Sequence, residues 1–183
     1  MIALAVVLGL VQGQEPRPGR AVLLDRPSGA VSVVVEVDEI TGLTWAPDGG
    51  LDVSDEWTIT RHDLNGGSTT VFDGGRDRLF GHAYAPDGDT IAMVDGGDLR
   101  LLDLATGEVA EVEIVVDRAV DAAFISFAPD WSDDGRSVLT GVTLPDEDLG
   151  ATPSVAVIDV ETGTATLLTV DGEPISGTYP RWR

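Results

Sequence analysis

An all-β fold assembled from repeated, short antiparallel strands is predicted by three observations. The first is an aromatic residue running into a Pro-Asp-Gly turn, seen in Trp45-Ala46-Pro47-Asp48-Gly49 and again in Tyr84-Ala85-Pro86-Asp87-Gly88. It returns with Asp for Pro in Trp131-Ser132-Asp133-Asp134-Gly135 and begins once more at Tyr179-Pro180-Arg181-Trp182. The second is an Asp closing an apolar run, with Gly four residues later: Asp25/Gly29, Asp63/Gly67, Asp103/Gly107 and Asp159/Gly163. The third is composition, 43% hydrophobic but only 5% aromatic, which leaves Val, Leu, Ile and Ala to build the core and favours strands.

The chain opens on apolar residues 1–11, followed by Gln12-Gly13-Gln14-Glu15-Pro16-Arg17-Pro18-Gly19. Two readings of residues 1–20 stand side by side. The run is too short to span a bilayer, and as a signal peptide it has no basic residue before it and no small-x-small site after it. As a strand, Ile2-Ala3-Leu4-Ala5 corresponds to Ile91-Ala92-Met93-Val94, which follows a Pro-Asp-Gly turn. The repeats proper occupy residues 21–183, in units of about 21–37, 38–73, 78–115 and 120–170 and a partial strand at 176–183.

Each Asp-to-Gly segment joins two β-rich runs and reads as a hairpin. A short loop built on a type I turn closes on a residue at positive φ, which Gly adopts most cheaply, and the Asp carboxylate accepts from the free N–H groups of the turn. Between hairpins, Pro presets φ and Asp-Gly supplies the reversal. The outcome is four strands per unit: one ending at the aromatic, one after the turn, and two in the hairpin. Leu144-Pro145-Asp146-Glu147-Asp148-Leu149-Gly150-Ala151-Thr152-Pro153 is polar and proline-bounded and reads as a loop.

The aromatic positions 45, 84, 131 and 182 lie 39, 47 and 51 residues apart, the range of a four-stranded propeller blade. A β-propeller of four-stranded antiparallel blades, with about four blade units, is therefore expected. It is either a closed four-bladed ring, with the strand at 178–183 pairing beside the first strands, or part of a larger propeller whose open edges pair with further blades or a second copy. The recurring aromatics are expected to pack between neighbouring sheets rather than to form a stacking platform.

Together these turns and hairpins resemble the WD40-like repeats of TolB-type proteins. The resemblance implies a β-propeller and, weakly, an extracytoplasmic location in the periplasm or cell envelope. For function it implies little, because one fold hosts many roles.

The formal net charge is -21, from 32 acids against 11 bases, and every base is Arg. A surface this acidic repels phosphate backbones and anionic headgroups, which argues against nucleic-acid binding and membrane association. Its simplest origin is solubility and Asp as a turn former; the sharper one is a cation or a basic partner. With no Cys, disulfides and thiolate chemistry are excluded, and the single Asn65 precedes Gly-Gly, so there is no N-glycosylation acceptor.

Chemistry-bearing residues are few. His62 takes a slot that is apolar in the other hairpins (Leu24, Leu102, Ile158). His82 stands two residues before an aromatic, in the strand nearest the channel of propellers of this kind. Both are ligand-binding candidates, and neither has a recognisable nucleophile partner; no Gly-x-Ser-x-Gly, Walker or His-Glu-x-x-His pattern occurs. Asp130-x-Ser132-x-Asp134-Gly135 resembles half of an EF-hand loop, but Gly141 stands where the bidentate Glu is needed. Asp146, Glu147 and Asp148 are a weaker cation candidate. No catalytic residue and no cofactor is expected.

Three functions are compatible with these features. One is a non-catalytic binding module for a protein or small ligand. Another is the propeller part of a larger enzyme, such as a serine oligopeptidase or a propeller lyase. The third is a cation-binding structural module.

Overall fold

The computed structural model describes residues 2–6, 19–24, 27–63, 65–74, 78–116, 124–125, 127–146, 150–175 and 180–181. Among them there is no helix, and the chain divides into two compact units, Met1–Leu79 and Phe80–Arg183. Of the expected motif and candidate residues, Asp25, Glu147, Asp148, Tyr179 and Trp182 lie outside the described set.

The first unit holds two antiparallel sheets. One is β1 (Ile2–Val6), β2 (Gly19–Leu24) and β3 (Val31–Val37), in that order, with Ile2 opposite Leu24 and Leu24 opposite Val31. The other runs in chain order through β4 (Gly42–Trp45), β5 (Leu51–Ser54), β6 (Thr58–His62) and β7 (Ser68–Asp73). Ala21, Leu23, Ile40, Leu51 and Val53 make its core.

The second unit opens with β8 (Leu79–Tyr84), β9 (Thr90–Asp95), β10 (Asp98–Asp103) and β11 (Val109–Glu111), again a four-stranded meander. After it come β12 (Val115–Val116), β13 (Phe124–Ile125), β14 (Asp130–Trp131), β15 (Ser137–Asp146), β16 (Gly150–Asp159) and β17 (Thr164–Leu167). They form one sheet in which β13 and β14 both pair with β15, while β12 adds to β17 in parallel. A small hairpin, β18 (Thr169–Val170) with β19 (Glu173–Pro174), follows. Ala83, Val94, Leu99, Ile125, Trp131, Val138, Ala156 and Ile158 share a core cluster.

All three aromatic-proximal turns have one geometry. Gly49, Gly88 and Gly135 have φ of 88°, 79° and 68°, and each N–H donates to the residue three back, at 2.9, 2.9 and 3.0 Å. The turn Asp accepts the N–H two residues on: Gly50 to Asp48 at 2.9 Å, Asp89 to Asp87 at 2.9 Å, Arg136 to Asp134 at 3.1 Å. These carboxylates are turn ties, as the repeat implies.

The Asp-to-Gly hairpins follow expectation at Gly29, Gly107 and Gly163, with φ of 69°, 75° and 70°, but not at Gly67. There the positive φ, 100°, falls on Gly66. Gly67 is needed for another reason: a Cβ at that position would run into the Asp63 carboxylate, which accepts from Gly67 N at 3.1 Å.

Two further expectations are corrected. Residues 144–146 and 150–153, read as part of a loop, instead continue β15 and β16, paired through Asp146↔Gly150; residues 147–149 lie outside the described set. Val115, grouped with the unit at 78–115, pairs with Thr164 of the following sheet instead.

The turn ties have a pH consequence. Asp63 and Asp103 sit below the ordinary carboxylate value of 3.8, chiefly because Gly67 N–H and Thr106 N–H respectively donate to them. Asp159 is lowered first by Thr162 N–H, and Asp134 first by the Ser132 hydroxyl. A group whose folded-state pKa is depressed stabilises above its unfolded value and loses that contribution as pH falls through the folded one. The melting temperature is therefore expected to fall once pH drops below about 4. In D63N/D103N/D159N, where amide oxygens keep the turns but cannot titrate, that fall should be shallower. Superimposable acid limbs for the two proteins would contradict this.

Candidate functional site

The predicted site residues do not converge. His82, on β8, is buried at 3% exposure and lines none of the clefts described below. His62, at the end of β6, is half-buried. Partial burial pushes its imidazole below the ordinary value, with the Asp52 carboxylate opposing. Asp134 accepts the Ser132 hydroxyl at 2.7 Å within its turn, and Asp130 lies 3.6 Å from Arg181. Among the described residues, no three His, Asp or Glu side chains are grouped to hold a metal ion. The aromatics also diverge: Trp131 is 8% exposed, Tyr84 is half-buried, and Trp45 is 39% exposed rather than enclosed between sheets.

Residues the repeat did not single out form a cleft of ligand size. Where β5 turns into β6, Asp55 Oδ1 accepts from Trp57 N and Thr58 N, both at 2.8 Å, and Oδ2 accepts the Thr58 hydroxyl at 3.0 Å. Thr41 braces the same turn from the start of β4. Its N–H donates to Ser54 O at 2.9 Å and its hydroxyl to Asp55 O at 2.9 Å. This tight reversal leaves Trp57 49% exposed. Opposite it the chain leaves β3 through Glu36, Val37, Asp38 and Glu39, and the two segments enclose a cleft of about 570 Å³. Five carboxylate residues (Glu36, Asp38, Glu39, Asp55 and Glu56) line it with Val37 and Trp57, and Arg78 forms an ion pair with Glu39.

A second cavity, of about 110 Å³, shares Val37 and Asp55 with the first and is lined further by Val35, Val53, Thr60 and His62. His62 is thus the one predicted ligand residue that reaches a cavity beside the acidic cleft. A signal for the cleft was present: Trp57 is the one Trp outside the repeated aromatic positions.

In the same sheet, Asp52 is fully buried on β5 and paired with Arg61 of β6, Nε to Oδ1 at 2.9 Å and Nη2 to Oδ2 at 3.2 Å. Arg61 Nη1 also reaches Asp48 Oδ2 at 2.9 Å, tying the Pro-Asp-Gly turn to the sheet.

No protein-family model and no curated protein sequence matches the chain. Solved structures do. A structure assigned to TolB of Agrobacterium tumefaciens matches with a TM-score of 0.61 at 20% identity, over 86% of this chain and 55% of that one. A chain of a nidogen/laminin complex matches with a TM-score of 0.59 at 16% identity, over 86% and 60%. An oligogalacturonate lyase in complex with manganese matches with a TM-score of 0.51 at 18% identity, over 86% and 48%. The chain therefore spans less than two thirds of each. These neighbours are β-propeller proteins, and this chain has the β-propeller fold, with two four-stranded antiparallel sheets among the described residues.

Proposed function

We propose that the chain is a non-catalytic binding module of the TolB-like propeller type and that the cleft beside Trp57 receives a cationic ligand or a basic protein segment. The observation that carries this reading is the pairing of a half-exposed indole with a carboxylate-lined concavity of ligand size. A guanidinium or ammonium group gains there both from the carboxylates and from the face of the indole. The overall charge of -21 draws such partners in at long range. The described acids with lowered pKa, at 48, 63, 103, 134 and 159, are tied into turns and contribute scaffold instead.

Calorimetric titration with a short oligo-arginine peptide tests the reading. Saturable binding is expected, weakened by salt and roughly tenfold weaker in W57A, in line with the usual worth of a cation–indole contact. Absence of saturable binding would overturn the binding reading, whereas equal affinity in W57A would displace the site from the cleft.

A second reading has one observation in its favour. An oligogalacturonate lyase is among the solved structures the chain resembles, which supports a role as the propeller part of a larger enzyme. Reading the coding sequence on either side of these residues decides it: an adjoining catalytic domain supports it, and its absence removes it.

A further inference from the structure

The hairpin of β15 and β16 carries two prolines whose placement follows a rule. Its strands are ten residues each, against four to six in β4 to β10, and they pair without interruption from Ser137↔Asp159 to Asp146↔Gly150. In an antiparallel ladder, pairs bonded to each other alternate with pairs whose N–H and C=O groups face outward. Val160 N donates to Arg136 O at 3.0 Å, so the pair just before Ser137↔Asp159 is of the bonded kind. Val155 is of the outward kind: its N–H donates to Ile175 O at 3.0 Å, and its carbonyl accepts Leu168 N at 2.9 Å. Alternation from these anchors puts Gly141↔Val155, Thr143↔Pro153 and Pro145↔Ala151 in the outward class.

Each proline therefore omits an N–H that would have pointed out of the hairpin, Pro145 from the β15 edge and Pro153 from the β16 edge. Each is also the next outward position past a described neighbour. On one side β13 pairs with β15 at Phe124↔Thr143, and on the other Val155 bonds Ile175. At the adjacent positions, Leu144 or Thr152, a proline would have broken a bond inside the ribbon.

We propose that Pro145 and Pro153 are edge blocks. Among the described residues the ribbon beyond them is two-stranded, and the blocks keep its edges from taking up a strand from a second copy of the chain. A second copy is the partner refused, because it brings the same ribbon and an edge strand is a template for its own kind.

Sedimentation of the full chain over a concentration series reads this directly. P145T/P153T regains both donors and is expected to self-associate roughly tenfold more tightly than the unaltered chain, the effect of two ordinary hydrogen bonds. Unchanged sedimentation in a variant with unaltered circular dichroism overturns the proposal. Should that variant fail to fold, A151P and T152P test the same geometry. A151P removes an outward N–H and should melt like the unaltered chain, whereas T152P removes an inward one and should melt several degrees lower. Equal melting of the two overturns the assignment of edges.

Discussion

Trp131→Ala is expected to cost about 3–5 kcal/mol of stability and to lower the melting temperature by roughly 10 °C or more. The indole is 8% exposed, sits within the core cluster of the second unit, and donates from Nε1 to Ala83 O at 3.1 Å. It thus joins the sheet containing β14 to the neighbouring sheet containing β8. Truncation leaves a cavity and a buried carbonyl without its donor, and both terms add. Trp45→Ala is the control: the same motif position, 39% exposed, should cost about 1 kcal/mol. Denaturant unfolding of the two variants compares them, and an unchanged midpoint for Trp131→Ala would remove its assignment to packing.

Arg61→Met should be nearly as damaging for a different reason. Asp52 is fully buried, and the substitution strands its carboxylate without the guanidinium that accompanies it. Breaking one side of a buried pair typically costs about 3–5 kcal/mol. The more exposed contact from Arg61 to Asp48, whose side chain is 60% accessible, adds at most about 1 kcal/mol. D52L/R61M, which removes both charges, is expected to recover most of the loss, because two apolar side chains of similar volume avoid the desolvation cost. If the double variant is as unstable as R61M alone, the ion pair is not the cause.

Turn chemistry was the most legible part of the chain. Asp48, Asp87 and Asp134 with their following glycines repeat a local hydrogen-bond pattern that needs no tertiary contact, so four or five letters suffice to specify it. What covers a side chain is a tertiary matter. Trp45 and Trp131 occupy equivalent positions, yet only Trp131 finds an enclosing neighbour, and no local pattern distinguishes them. Residues 144–146 and 150–153 are strand although they include two prolines, because in a strand the effect of proline depends on which way its missing N–H would face. The cleft stayed hidden because its walls are not repeated: it arises where two turns of the first unit meet around Trp57.

The short strand β12 has a wider meaning for the second unit. It follows β11 directly in sequence, yet it belongs energetically to the sheet that is completed some fifty residues later. Val115 N donates to Gly163 O at 2.9 Å, and Gly163 is pressed so closely against Glu113 O that no side chain fits between them. The tail of one repeat thus acts as a clasp on the outer edge of the next. The two sheets of this unit share a fastening that neither possesses alone, so they are expected to melt together rather than as separate modules, and two resolved thermal transitions within this unit would contradict that.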